Sequence, residues 1–436
     1  MGIDQARVNR IFQPATYADG PPYELFAELR AAAPVCWVQE PAVGDWPAGP
    51  GYWAVLRHAD VKYVLRTPDL FSSHLGATQI RDPDSVADLE FARTMMLNQD
   101  PPDHSRLRRI VAGAFTPRAL AELTEAIERH AAELVDSVRA AGEADFVRLA
   151  ADLPVRTLAW IMGVPDQDRY LLADWADRVI GYQDADVAAS GTADPAALTD
   201  LGRAAVAHRP AAMTTEDGRP VNPRSRAALA DMFAYAHGLA EQPRPGSVLA
   251  RMREGGLSAE EFETSFFLFA VAGNETVRNA LPGGLHTLLS HPDQYRLLRQ
   301  RGSAVIGPAV EEILRFWPPV VEFRRTATRD TELGGRRIRR GEKVVVYHAS
   351  ANRDENVFPD PDRFDITRTP NDHVSFGHGP HFCLGAQLAR IQLRAMLGRT
   401  VTDLPGLEPT PGAPPARLVS NFQNGLKHLP IRWRQD

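Results

Sequence analysis

The sequence predicts a mainly α-helical fold with a minor β component, and three observations predict it. From about residue 104 to 300, apolar residues recur at three- and four-residue spacing, the mark of helices that bury one face. Strand-like runs are confined to VCWV (35–38), GYWAVLR (51–57) and the region 320–348. The chain has 436 residues, 44% hydrophobic and 24% charged, which is a globular composition with enough apolar material for a large core.

In chain order, PYELFAELRAAAP (22–34) reads as a short amphipathic helix, and a Pro/Gly-rich turn separates the first two strands. Residues 118–140, 152–163 and 226–242 read as helices. The stretch 204–225 holds three prolines and reads as a long flexible connection. LSAEEFETSFFLFAVAGNETVRNAL (257–281) opens with a capping box, Ser258 with Glu261, and is apolar on every side in its middle, which predicts a buried central helix. Pro282 should kink or end it. VVEF, RRIR and KVVVYHA read as strands around a Gly-Gly turn, and residues 402–416, with five prolines, read as a loop. No internal repeat is visible.

The net charge of -6 argues against a nucleic-acid binder. Two cysteines, Cys36 and Cys383, are too few for a disulfide scaffold, so a reducing, cytoplasmic setting is expected. MGIDQARVNR has no apolar core of a signal peptide, and Ala6 stands where a myristoylation site wants Ser or Thr. The longest apolar run, FFLFAVAG (266–273), is far too short to cross a membrane.

One of the two cysteines sits in SFGHGPHFCLGAQLAR (375–390). Gly377, Gly379 and Gly385 permit tight turns and close approach of a flat object to the backbone. Leu384, Leu388 and Ile391 predict a buried helix face, which puts Cys383 near a helix N-terminus, where the dipole and free N–H groups favour a thiolate. Three readings fit these residues: a buried free cysteine, a zinc site using His378, His381 and Cys383, and an axial thiolate to haem iron.

The loop resembles the haem-binding signature of the cytochrome P450 family, with Phe376, Gly379, His381, Cys383 and Gly385 at its fixed positions. Other elements of that family occur in order along nearly the whole chain. The resemblance implies a single cytochrome P450 domain over 1–436, a triangular helical prism around a buried haem b. Its β-containing lobe would come from about 1–65 and 320–350, its helical lobe from about 104–317, and its haem-thiolate loop from 375–385. Cys383 would be the metal ligand, with Phe376 and Gly377 against the haem.

Within the central helix, Ala272-Gly-Asn-Glu-Thr276 is similar to the family's distal motif. Read from the residues alone, Thr276 is a core threonine bonding back to a carbonyl. The resemblance implies catalytic roles for Thr276, at dioxygen, and for Glu275, in a water-borne proton relay. Ala272 and Gly273 would border the haem, and Gly273 would allow a π-type widening of the helix. Glu312 and Arg315, three apart in EEILRFWPP (311–319), can pair bidentately, or form a plain surface ion pair. They resemble the family's Glu-x-x-Arg brace, with Arg363 as the implied third member. His104, Arg108, Arg325 and His381 match the family's positions for the haem propionates. Arg106 and Arg109 would help dock an acidic electron donor.

The resemblance further implies a substrate pocket lined by Met95, Met96, Leu97, Leu268, Ala272, Pro319, Val320, Val321, Phe323 and Phe422, beneath a loop at roughly 72–99. No flavin or nicotinamide domain follows the signature helix before Asp436, so electrons are expected from a separate ferredoxin and ferredoxin reductase. The strings MMLNQDPPDH, AGNETVRN and SNFQNGLKHLP look like the actinobacterial branch that oxidises lipids, steroid side chains and terpenoids. The expected function is thus a monomeric monooxygenase that hydroxylates an elongated apolar small molecule with dioxygen. A secondary-metabolite tailoring enzyme acting on a polyketide or aromatic intermediate is the alternative. A peroxygenase would dispense with Glu275 and Thr276, and a haem sensor would need no large pocket.

Overall fold

The computed structural model describes residues 3–43, 47–83, 85–180, 195–210 and 222–435. Strands Val35–Val38, Tyr52–Val55, Lys343–Tyr347, Glu322–Ala327 and Phe71–Ser72 lie side by side in that order in one sheet. Cys36 faces Ala54, Trp53 faces Val344 in the parallel pair, and Phe323 faces Val346. Alternation divides the strand residues between two small cores: Val345 and Tyr347 pack with Phe26 and Tyr52, while Val344 and Val346 pack with Val64 and Phe71. The Gly334-Gly335 turn joins Thr331–Leu333 to Arg336–Ile338 with both glycines at positive φ.

The large core is helical. Helix Pro117–Arg139 starts on the Thr116 side chain, with proline in its first turn, and buries Leu120, Leu123, Ile127, Ala131 and Val135 along one stripe. Helix Phe146–Met162 begins six residues before the expected 152, because the Asp145 carboxylate accepts from the Val147 N–H and Phe146, Val147 and Ala150 are buried. It runs through Pro154 and stops at Gly163, in the left-handed region. The helix expected at 226–242 spans Ala230–Glu241. The expected connection 204–225 is helical to Val206, and 211–221 lies outside the described residues.

The central helix spans Ala259–Ser290 and carries both halves of the capping box. It packs against Phe146–Met162, against a roof helix (Arg169–Ile180), and against helix Ala386–Asp403, which follows the cysteine loop. Pro282 does not end it; the helix continues to Ser290. Packing explains this: Gly283 and Gly284 leave room for Trp317 and Ile313, whose atoms would lie 2.1 and 2.8 Å from an added Cβ.

Helix Ile306–Phe316 carries the brace. Arg315 and Glu312 are both fully buried and pair bidentately at 2.8 and 2.8 Å. Arg315 also donates to the carbonyls of Asn352 (2.9 Å), Pro361 (2.8 Å) and Arg363 (3.2 Å). Arg363 therefore contributes its backbone, not the side chain expected of it; that side chain is 66% exposed. The second cation on Glu312 is Arg368, whose Nε donates at 3.2 Å, beside Asn371 at 3.1 Å and the Asp365 N–H at 2.9 Å. The local cause is that FDITR turns back on itself after Arg363, with Arg368 N–H bonded to the Asp365 carbonyl.

Asn352 carries the brace forward. Its amide donates to Ser375 Oγ (2.7 Å) and accepts from the Val374 N–H (2.8 Å), while Ser375 Oγ donates to the Leu314 carbonyl (2.7 Å). Glu312→Ala should therefore strand a buried guanidinium and cost about 3–5 kcal/mol, measured by urea denaturation. Arg363→Ala should change stability by less than about 0.5 kcal/mol; a large loss there would restore Arg363 as a side-chain member.

Candidate active site

The segment after Ser375 forms the floor of a cavity. Gly379, at φ +70°, abuts the backbone of Leu65 and Arg66, 2.6 Å from where a Cβ would stand, so only glycine fits. Gly385 lines the cavity, and among the described residues nothing lies within 4 Å of a Cβ added there. The Cys383 N–H donates to the Phe376 carbonyl (2.8 Å), and helix Ala386–Asp403 begins three residues on. The thiol is open to the cavity yet enclosed by protein. Burial pushes its pKa up, while the Gly385 N–H, Arg108 and Arg390 push it down. Cys36 is the opposite case: buried in the β lobe and pushed up to about 12 by desolvation. Behind the loop, Arg390 pairs with Glu311 at 2.6 Å and lies over the Phe376 ring, 4.4 Å from its centroid.

His104, Arg108, Arg325 and His381 all line the same cavity. The rings of His104 and His381 are 4.1 Å apart. Burial, then neighbouring cations, pushes His104 down to about 4 and His381 down to about 2; burial alone takes Arg325 down to about 10. His104 Nδ1 has no hydrogen-bond partner, Arg108 donates to the Phe382 carbonyl (2.7 Å), and Arg325 to the Arg324 carbonyl (2.8 Å). Among the described residues no carboxylate pairs with either arginine. Two guanidiniums and two neutral imidazoles around one opening make a site short of anions, and the two carboxylates of haem b fit that deficit. His378, His381 and Cys383 form no metal-binding cluster of the zinc type among the described residues.

The central helix closes the cavity opposite Cys383 with Leu268, Ala272, Gly273 and Thr276. The helix is α-helical throughout, without the expected π-type widening. Gly273 instead admits Leu158, whose Cδ1 would lie 2.8 Å from a Cβ. Thr276 Oγ1 donates to the Ala272 carbonyl (2.9 Å), as the residue-level reading has it, and the same side chain lines the cavity. Glu275 is buried. Burial raises its pKa to about 7, against the lowering pull of Arg278 Nη1 at 3.1 Å and with the raising push of Asp177. Arg278 also pairs with Asp177 on the roof helix. Arg278 and Asp177 were not singled out in the sequence; a basic residue three after the acid is the only local signal.

A second chamber shares Leu97, Leu268, Ala272, Thr276, Val320 and Phe323 with the first. The chambers measure about 260 and 200 Å³. Met96 and Pro319 line the first and Met95 and Phe422 the second, along with Phe91, Val179, Phe267 and Val271, which the sequence reading missed. Val321 does not line either. It is fully buried in the β-lobe core, because the strand alternation starts only at Glu322 and the Val321 N–H is tied to the Phe422 carbonyl (2.8 Å). Arg109 is exposed, whereas Arg106 pairs with Glu261.

The described helices include none long and apolar enough to cross a membrane. The cytochrome P450 family profile matches residues 246–405. A steroid C26-monooxygenase of Rhodococcus jostii is 35% identical over 97% of this chain and 84% of its own length. A methyl-branched lipid omega-hydroxylase of Mycobacterium tuberculosis is 36% identical over 94% of this chain and 90% of its own. A Mycobacterium marinum cytochrome P450 solved with pseudoionone superposes with a TM-score of 0.80 at 35% identity, covering 97% of each chain. A cysteine loop facing an anion-poor cavity, and relatives matched almost end to end, place this chain in the cytochrome P450 family as a haem b monooxygenase.

Proposed function

We propose that this monooxygenase hydroxylates an elongated, mostly apolar lipid- or terpenoid-like molecule, with electrons from a ferredoxin and its reductase. The observation that carries the substrate class is the pair of joined chambers. Their shared walls are Leu97, Leu268, Ala272, Thr276, Val320 and Phe323; the second adds Met95, Phe91, Phe267 and Phe422, with Arg81, Asp82, Asp88 and Arg224 also on its lining. The apolar part of that lining rewards a long apolar body by desolvation, and the charged side chains of the second chamber leave room for one polar group on it. The names of the relatives, a steroid C26-monooxygenase and a methyl-branched lipid omega-hydroxylase, support the same class.

Cys383 would hold the haem, with His104, Arg108, Arg325 and His381 at its carboxylates, and the haem supplies the dioxygen chemistry when bound. The chain's own part is to position the substrate, exclude water and manage protons. Thr276 presents a hydroxyl to the cavity. Glu275, poised near 7, can both hold and release a proton at neutral pH. A peroxide-driven enzyme has no use for that pair. Arg109, exposed on helix Asp103–Ala112 near the cysteine loop, is one contact for an acidic ferredoxin, and Arg106 is committed to Glu261.

Optical titration across sterols, long-chain lipids, terpenoids and compact aromatics tests the substrate class. Extended apolar ligands should shift the haem Soret band at the lowest concentrations; tighter binding of compact aromatics would overturn it. Thr276→Ala should retain haem and ligand binding but lower the yield of product per electron by about tenfold or more, with peroxide released instead. Unchanged coupling would remove Thr276 from proton delivery. Glu275 has a folded pKa above its unfolded value, so its contribution to stability is present below about 4.5 and is lost as pH rises to about 7. Across that window the Glu275→Gln variant should gain thermal stability relative to the parent, as read by melting curves at stepped pH.

A further inference from the structure

Strand Lys343–Tyr347 ends at His348, which opens the short helix His348–Ala351. Nothing in the sequence reading gave this histidine a role. It is 1% exposed, and among the described residues neither Nδ1 nor Nε2 makes a well-aligned hydrogen bond, with only the Val320 carbonyl acting on the ring from the backbone. Buried imidazoles are nearly always satisfied, and leaving both ring nitrogens bare carries a desolvation cost with no return. The ring stands edge-on to Phe323, with centroids 5.8 Å apart. It lines the chamber that contains Cys383, His104, Arg108, Arg325 and His381, and it is not part of the second chamber.

Its electrostatic neighbour is Arg325, reached from the adjacent strand, where Phe323 and Arg325 alternate onto the cavity side. Burial, with Arg325 beside it, holds the ring down to about 4, against a weaker opposite pull from the Val320 carbonyl. The ring is thus neutral and carries one N–H. Arg325 itself spends only one donor, on a backbone carbonyl. A neutral N–H and a guanidinium side by side in an enclosed apolar chamber match one carboxylate, which accepts from both.

We propose that His348 is a fifth donor to the haem carboxylates, sharing one of them with Arg325. The inference rests on the haem pocket alone and is independent of which substrate fills the second chamber. A carboxylate bonded by both groups would satisfy the imidazole and offset the unpaired charge of Arg325.

The test uses the haem-loaded protein and the variants His348→Leu and His348→Gln. In the Leu variant haem transfer to excess apomyoglobin should speed up by roughly tenfold, and the propionate bending band of the resonance Raman spectrum should shift. The Gln variant, which keeps a donor, should stay near the parent in both. Should His348→Leu load no haem, the Gln variant alone decides: normal loading with an unmoved propionate band supports the donor role, and failure to load overturns it. An unmoved band and unchanged haem release in the Leu variant overturn the proposal. So does a change confined to substrate affinity, which would turn the ring towards the substrate instead.

Discussion

Arg315 carries a charge that no solvent reaches, and the position of the cysteine loop depends on how that charge is satisfied. Its guanidinium meets both oxygens of Glu312 and three backbone carbonyls. Those carbonyls belong to Asn352, Pro361 and Arg363, residues far apart in sequence from the brace helix, so one side chain fixes the path of a long irregular segment. Asn352 then holds Val374 and Ser375 directly. From Ser375 the chain has eight residues to reach Cys383. A buried ion pair contributes little net stability over an apolar substitute, but it specifies geometry, since no other arrangement satisfies all its donors. A loop whose cysteine must keep a fixed place in the cavity has need of that specification.

The cavity above the loop is organised by the opposite principle. The brace satisfies every charge it buries; the cavity leaves several groups wanting. Among the described residues, His104 Nδ1 and the His348 ring make no well-aligned hydrogen bond, and Arg108 and Arg325 bond only to carbonyls. Anything that binds there with two carboxylates stabilises the folded state through mass action. A ligand of that kind would therefore be linked to folding, because it would satisfy groups that the folded chain leaves without anions.

Much of this was legible because the signals are contiguous. The cysteine loop, the Ala272–Thr276 segment and the capping box at Ser258 are each read within a few residues, and each is where the sequence placed it. Glu312 and Arg315 are readable because three residues on a helix put them on one face. What escaped depends on long-range geometry. Arg368, not the Arg363 side chain, reaches Glu312, because of a turn within FDITR. Val321 faces the β-lobe core because alternation begins one residue later. Pro282 fails to break its helix because Trp317 and Ile313 pack onto the glycines that follow. The first two depend on where a turn or a strand begins, to within a residue or two, and the third on packing by residues tens of positions away.

The proton affinity of Glu275 shows how such distant packing sets chemistry. On the helix alone it is an ordinary carboxyl with an arginine one turn on, an arrangement that favours the ionised form. Burial acts the other way and is the larger effect. The roof helix adds to that side, because Asp177 competes for Arg278 and places a second negative charge near the acid. The result, about 7, is a balance between an attraction written into one helix and two penalties imposed by its neighbours. No segment of sequence contains that value; it exists only once roof and central helix are in contact.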